Sequence, residues 1–340
     1  MRIETEQQLE ELLSRPWPAD LEAVRQLGGR LLILGAGGKM GPTLALRAVR
    51  AARQANVELE VVAVSRFSDE CVRQKLEESG VITLAADLLE PGAVERLPDA
   101  PSVIYMVARK FGSTGDEAYT WAVNAYLPGR VAERYRKARI VAFSSGNVYP
   151  LVPVDSGGAT EDTPPGPIGE YAQSVLGRER VFEYFSRRYG TPVTLLRLNY
   201  AVELRYGVLV DIARKVYQRQ PVDLTMGYVN VIWQGDANSV CLRSFALCQS
   251  PPAILNVTGP ETLSVRRLAE EFARRFGCEP IFKGQEEPTA LLNNARRCHQ
   301  LFGYPSVSVP QLLDWIADWI RSGRPLWDKP THFEVRDGRF

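Results

Sequence analysis

The chain has little of what most hydrolytic, metal-dependent or nucleic-acid chemistries are built from. Histidine occurs only twice in 340 residues, at His299 and His332. Neither has a carboxylate at ligand spacing, so no metal site is expected and both read as structural. A serine hydrolase is disfavoured too, because no histidine lies near Ser145 and SSGNVY is not the G-x-S-x-G turn. The five cysteines, Cys71, Cys241, Cys248, Cys278 and Cys298, contain no CxxC pair; their scatter and odd number fit a reducing, cytoplasmic setting. An excess of either charge is also missing, with 41 Lys and Arg against 40 Asp and Glu. No electrostatic footprint therefore points to nucleic acid or an anionic membrane, and a small-molecule partner is expected. No apolar run reaches about 18 residues and the opening MRIETEQQLEELL is polar and acidic, so a soluble, uncleaved chain follows. No internal repeat or low-complexity tract is visible.

What is present is an alternation. LLIL (31–34), ELEVVAVS (58–65), VITLA (81–85), SVIYMVA (102–108) and RIVAFSS (139–145) are short apolar stretches rich in β-branched residues, the pattern of strands buried on both faces. Between them TLALRAVRAARQ, SDECVRQKLEES, GAVERL and AYTWAVNAYLPGRVAERYRK have helical period. Such alternation implies an α/β fold with a doubly wound parallel sheet and right-handed crossovers. Residues 150–169, dense in Pro and Gly, read as a long ordered loop at the site. YAQSVLGRERVFEYFSRRYG then reads as a helix and PVTLLRL as a strand. VNVIW and AILNVT read as late strands, and TLSVRRLAEEFARRFG as a helix that its threonine can cap. The expected division is a helical extension over 1–28, a dinucleotide-binding domain over 29–200 to which strands near 229–233 and 253–257 return, and a smaller substrate-binding region with a tail over 201–228 and 258–340.

The first strand runs directly into GAGGKMG, residues 35–41, and then into a helix. Gly35 suits the tight turn, Gly38 the approach of backbone N–H groups to a pyrophosphate, and Gly41 close helix–strand packing. The helix N-terminus adds partial positive charge, so a dinucleotide is expected here. At the end of the second strand stand Ser65 and Arg66 in place of an acidic residue. A guanidinium there forks onto a 2′-phosphate, which favours NADP with NAD possible; stacking of Arg66 on adenine is the alternative. Asp87 is placed either to accept from the adenine amino group or to cap a helix.

With GxxGxxG spacing, Asn124 in TWAVNAY, SSGNVYP, EYAQS, LLRLNYAV, VIWQGDAN and ILNVTGPETLSVRRLAE, the chain resembles the extended short-chain dehydrogenase/reductase family of sugar epimerases and dehydratases, over roughly residues 29–277. The resemblance implies a Rossmann-like fold, a homodimer through the helices around 118–137 and 170–188, and a nicotinamide cofactor. It places Lys39, Met40, Leu88, Val107, Ala108 and Asn124 with the glycines and Asp87 around that cofactor. It also implies that Ser145 is the catalytic hydroxyl and Tyr171 the acid/base. The family's lysine four residues after the tyrosine is replaced by Val175. An unperturbed tyrosine titrates near ~10, so reaching neutrality takes roughly 4 kcal/mol of electrostatic help that valine cannot give.

Lys110, Arg109 and Arg178 are the cations that could substitute, Lys110 being favoured and a solvated loop lysine its plain alternative. Otherwise Tyr171 acts only as a protonated donor, or the chain binds dinucleotide without turnover as a sensing or docking module. Substrate contacts are expected from Asn147, Asn199, Tyr200, Arg205, Trp233 and Gln234; for Arg205 a surface ion pair with Glu203 is equally open. The expected function is reversible hydride transfer with a small hydroxylated, sugar-derived compound, epimerisation or dehydration included.

Overall fold

The computed structural model describes residues 2–339. Seven strands form a central parallel sheet: β1 (Arg30–Leu34), β2 (Glu60–Ser65), β3 (Ile82–Ala85), β4 (Ser102–Tyr105), β5 (Arg139–Ser145), β6 (Val193–Leu198) and β7 (Ala253–Val257). Their order is β7-β6-β5-β4-β1-β2-β3. Chain order reverses between β1 and β4, which opens a crevice beyond the carboxyl ends of those two strands.

The apolar runs are continuous because both faces of the sheet are covered. Leu31 and Ile33 join one core with Ala45, Ala48 and Val240, while Leu32 and Leu34 join another with Leu127, Val131 and Phe182. The first face is covered by α1 (Glu6–Ser14), α2 (Pro18–Arg25) and α3 (Gly41–Ala55) with α9, Gln234–Arg243. Along β2 and β3 lies α4 (Glu70–Glu78). The opposite face carries α5 (Glu117–Trp121), α6 (Leu127–Arg134) and α7 (Gly169–Tyr189). A single π-helical turn, Ala122–Tyr126, joins α5 to α6.

A separate core unites α1 with α8 (Val208–Tyr217), α10 (Val265–Phe276) and α12 (Val309–Arg321), and takes in Trp233, Trp315 and Phe333. The short α11 (Arg296–Phe302) packs beside β7. The N-terminal extension is helical as expected, in two helices, and it is locked to the sheet domain. Asp20 of α2, fully buried, lies 2.6 Å from the Arg47 guanidinium of α3.

Several sequence expectations are corrected. Residues 92–97, read as helical, form successive turns; a segment of six residues opening on Gly is too short to repay helix nucleation. Residues 229–233 do not return to the main sheet. Ile232–Trp233 pairs instead with Ala201–Val202 in a two-stranded parallel ladder, whereas Ala253–Val257 does join the sheet beside β6. Ser264, not the preceding threonine, caps α10 by accepting from the Arg267 amide. Residues 150–169 are ordered as expected: Val152–Pro153 pairs with Thr289–Ala290, and the Asn256 side chain donates to the Ala159 carbonyl. No described helix is long and apolar enough to cross a membrane.

Candidate active site

The glycine loop turns the chain from β1 into α3 at the crevice. Gly35 has φ +90°, and a Cβ there would stand 2.8 Å from the Val107 amide nitrogen, so β1 and the segment after β4 touch through backbone alone. Gly41 packs its Cα on the backbone of Ala36. A Cβ on Gly38 would meet only the Gly35 carbonyl, at 3.3 Å, which leaves the outer face of the loop open. The α3 N-terminus has no side-chain cap and no acidic residue in its first turn. An open cradle of amides without a competing carboxylate fits a pyrophosphate. Gly37, which the sequence reading passed over, completes the fit: a Cβ there would sit 2.5 Å from the Ser65 hydroxyl. Arg66 is exposed at the end of β2, and Ala108 is exposed beyond β4.

Across the crevice β5 delivers Ser145 and α7 delivers Tyr171, the two hydroxyls lying close enough for Ser145 to ease the ionisation of the tyrosine. Ser145 also donates to Asn147 Oδ1 at 3.0 Å and accepts from the Asn147 amide, which fixes its rotamer. Burial pushes the Tyr171 hydroxyl above its ordinary value, with the Ser145 hydroxyl and the Arg178 charge pulling the other way. Val175 lies one turn on, buried in an apolar cluster with Val148, Tyr149 and Tyr171 itself. Of the three candidate cations, two serve the scaffold. Arg178 donates to the Phe143 carbonyl and to Asn124, and Arg109 pairs with Asp116. Lys110 remains: its ammonium stands 5.9 Å from the Tyr171 ring centroid and 3.4 Å from the Thr331 carbonyl. Burial lowers it to about 8, with Asp211 and Glu334 opposing the shift.

Asn124 is not a ligand contact. It is fully buried; its amide bonds Arg109 through both backbone groups at 2.9 Å, donates to Ser174 and accepts from Arg178. The π turn thus staples the segment after β4 to the helix that carries Tyr171. Leu88 is also corrected, since its side chain is 5 % exposed and belongs to the sheet core. Asp87 accepts from the Leu89 amide at 3.0 Å, the turn-capping arrangement.

The pattern of the NAD dependent epimerase/dehydratase family matches residues 31–222, over half of the chain. The chain belongs to that family. Among solved structures it is similar to a UDP-glucose 4-epimerase from Thermotoga maritima crystallised with UDP-glucose (TM-score 0.72, 17% identity, covering 86% of this chain and 99% of that one). A Y149F mutant of UDP-glucuronic acid 4-epimerase from Bacillus cereus, in complex with NAD and a fluorinated UDP-sugar acid, matches with TM-score 0.74, 17% identity and coverage of 86% and 99%. A Thermus thermophilus UDP-glucose 4-epimerase complexed with NAD matches with TM-score 0.70, 20% identity and the same coverage. At these identities the likeness is one of fold. No curated protein matches the sequence significantly.

In this family member Asn147 and Tyr200 line a cavity of about 20 Å³ together with Tyr149 and the tail residues Val335 and Arg336. Tyr200 holds φ 45°, a strained conformation for a tyrosine that commonly marks a functional position. Asn199 lies beneath it, 3 % exposed, with its amide 3.5 Å from the Leu291 carbonyl.

Three expected substrate residues do not belong there. Trp233 is 2 % exposed and packs edge-on against Trp315, 5.8 Å between centroids, and Gln234 donates to Thr43 inside the fold. Trp233 ends the separate two-stranded ladder and Gln234 follows it, and that pairing turns both toward the core. Arg205 is buried, pairing with Glu203 at 3.2 Å and with Glu6 at 3.1 Å, so it is neither a surface pair nor a ligand group.

The structure brings in residues that sequence reasoning missed. Asn293 is 2 % exposed, and neither atom of its amide has a protein partner. Its Oδ1 would lie 2.8 Å from a Cβ on Gly146, directly over the Ser145 turn. Tyr206 receives the Lys39 ammonium 3.2 Å from its ring centroid. Lys39, counted among the cofactor contacts, therefore turns its ammonium toward the Tyr206 and Phe111 rings. Nothing in the local sequence marks Asn293; Tyr206 lay six residues from Tyr200 in a stretch already singled out.

Proposed function

We propose that the chain is a nicotinamide-dinucleotide-dependent enzyme that interconverts a hydroxyl and a carbonyl on a small sugar-derived compound by reversible hydride transfer. The observation that carries this is the Ser145–Tyr171 hydroxyl pair facing the open glycine cradle, with the Lys110 ammonium beside the tyrosine ring. A dinucleotide held on that cradle supplies the hydride acceptor and donor, and the chain's own residues manage the proton. In the reducing direction Tyr171 gives its proton to the oxygen of the substrate carbonyl while Ser145 holds that oxygen. In the oxidising direction the hydroxyl proton returns to the tyrosine oxygen, and Lys110 stabilises the negative charge that oxygen must carry beforehand.

Because burial keeps Tyr171 protonated at neutral pH, the resting site favours carbonyl reduction. Whether the cycle ends in net redox, epimerisation or dehydration depends on which substrate carbon faces the cradle. Ser65 and exposed Arg66 support NADP, although two of the similar solved structures are complexes with NAD. The rival reading is a silent dinucleotide-binding module; the apolar wall that Val175 builds against Tyr171 supports it.

The deciding experiment is fluorescence titration with NADP and NAD, for wild type and Lys110→Met, followed by nicotinamide absorbance with a panel of sugars and their keto forms. Saturable dinucleotide binding and turnover that falls at least about tenfold in Lys110→Met support the enzyme. Binding without turnover on any compound supports the silent module, and no binding of either dinucleotide overturns both.

A further inference from the structure

Residues 325–339 are seated in the substrate side of the crevice. Phe333 is 1 % exposed in the α8–α12 core, and the Thr331 amide and hydroxyl both donate to Asp211 of α8, at 2.7 and 2.6 Å. Arg336 donates to the Thr225 carbonyl and to both oxygens of Thr289. Near its end, Gly338 lies so close to the start of α7 that a Cβ on Gly169 would stand 2.8 Å from the Gly338 carbonyl carbon. What remains between these residues and Asn147, Tyr149 and Tyr200 is the cavity of about 20 Å³. That is room for about one water molecule. Sites for nucleotide-sized ligands enclose about 300–1,000 Å³.

The tail also completes a basic cluster. Lys39 and Lys110 approach the same ring, Phe111, at 4.6 and 5.7 Å from its centroid, and Phe111 in turn packs 6.1 Å from the tail's His332. Lys329 of the tail is close enough for its charge to act on Lys39. Neither Lys39 nor Lys329 has an ion-pair partner among the described residues. Two carboxylates act on the cluster, Asp211 on Lys39 and Lys110 and Glu334 on Lys110, but Asp211 accepts from the Thr331 amide and hydroxyl and Glu334 pairs with Lys215. Three like charges against two carboxylates engaged elsewhere are stabilised when an anion enters. Because Lys110 reaches the Tyr171 ring, the anion belongs at the reacting end of the crevice, away from the pyrophosphate cradle.

We propose that the substrate is a free sugar acid and not a nucleotide-linked sugar: the tail occupies the space a nucleotide would need, and Lys39, Lys110 and Lys329 receive the carboxylate. The sugar lies between the Ser145–Tyr171 pair and the lysines, and Lys39, on its flexible stem, is the wall that moves to admit it. This rests on the reading of Ser145 and Tyr171 given above, but its test does not depend on turnover.

The full-length protein, with and without dinucleotide, is titrated calorimetrically with glucuronate, galacturonate, gluconate, glucose and UDP-glucuronate. At least one acid is expected to bind about tenfold or more tighter than glucose, with UDP-glucuronate weaker than the free acids. Lys329 is exposed, so Lys329→Met leaves the core intact; it is expected to cut acid affinity severalfold, Lys329→Arg to restore it, and Lys39→Met to cut it further. Equal affinity for acids and glucose, tighter binding of UDP-glucuronate, or acid affinity untouched by both methionine variants overturns the proposal. If dinucleotide fails to bind while the lysine-dependent acid affinity persists, the proposed function falls and this assignment stands.

Discussion

Tyr171 holds its hydroxyl in a pocket that penalises the phenolate, and the Ser145 hydroxyl and the Arg178 charge oppose that penalty. Tyr171→Phe keeps the ring and its packing but removes the proton. Turnover is expected to fall by about 10²–10⁴ while dinucleotide affinity and melting temperature stay close to wild type; a loss below tenfold would exclude Tyr171 as the proton carrier. The lysines set the pH response. Lys39 is lowered to about 7, by burial first and then by the Lys329 and Lys110 charges, and Lys110 is lowered to about 8 by burial. Their charges are therefore present below these values and disappear as pH rises through 7 to 8. Carbonyl reduction and acid binding should hold steady to about pH 7 and decline above it. Stability has the opposite trend: from about 7 to the unfolded value near ~10.4 the unfolded chain binds more protons, so the fold gains stability with rising pH. Chemical denaturation at pH 7 and pH 9, for wild type and Lys110→Met, checks that sign, since the methionine variant loses much of the gain.

At the scale of elements, the glycine turn at which we propose a dinucleotide binds was legible because its geometry is contiguous. A buried strand, a glycine turn and a helix N-terminus follow one another in about fifteen residues, and each glycine has a local steric reason that sequence spacing carries. Gly35→Ala tests this directly. A methyl at φ +90° against the Val107 amide forces β1 and the segment after β4 apart, so loss of dinucleotide binding and destabilisation by about 1–3 kcal/mol are expected. Retained affinity with an unchanged melting curve would contradict the role given to the turn. The π turn was not legible. Asn124 stood out in the sequence, but its service as a staple between Arg109, Ser174 and Arg178 depends on α7 being packed against it. Trp233 and Gln234 failed for a related reason: a two-residue ladder with Ala201–Val202 leaves almost no pattern, yet it decides which way both side chains face.

Across the whole molecule, the two ends of the chain meet at Arg205. It pairs with Glu6 and Glu10 of α1 and with Glu203, and the Trp327 ring of the tail lies 4.7 Å from its guanidinium. Arg205→Met strands Glu203, which is fully buried, and is expected to cost about 3–5 kcal/mol by urea denaturation; a change under about 1 kcal/mol would mean the ends do not share this anchor. Aromatics on the α5–α7 face divide in two. Tyr135 and Phe182 are buried at 3 % and 0 %, while Trp121, Tyr126 and Tyr184 are 38, 62 and 54 % exposed. The remaining patch supports the homodimer we propose. Sedimentation should give a dimer for wild type and a monomer for Tyr184→Glu with native circular dichroism; a monomeric wild type ends that proposal.

The sequence by itself determined the parallel sheet and the glycine turn between its first strand and the helix that follows, whereas Ser145 and Tyr171 were expected as partners only from the family resemblance. The sheet and the turn rest on residues whose burial period or turn geometry is set by near neighbours in the chain. The fate of Lys110, the orphaned Asn293 amide, the inward turn of Trp233 and the seating of the tail were decided only in three dimensions. Each depends on contacts between segments dozens to hundreds of residues apart, such as Lys110 with Thr331 and Arg205 with Glu6. Burial and charge, which fix what a lysine or an arginine does, are properties of the surroundings that folding assembles, and residue spacing along the chain does not carry them.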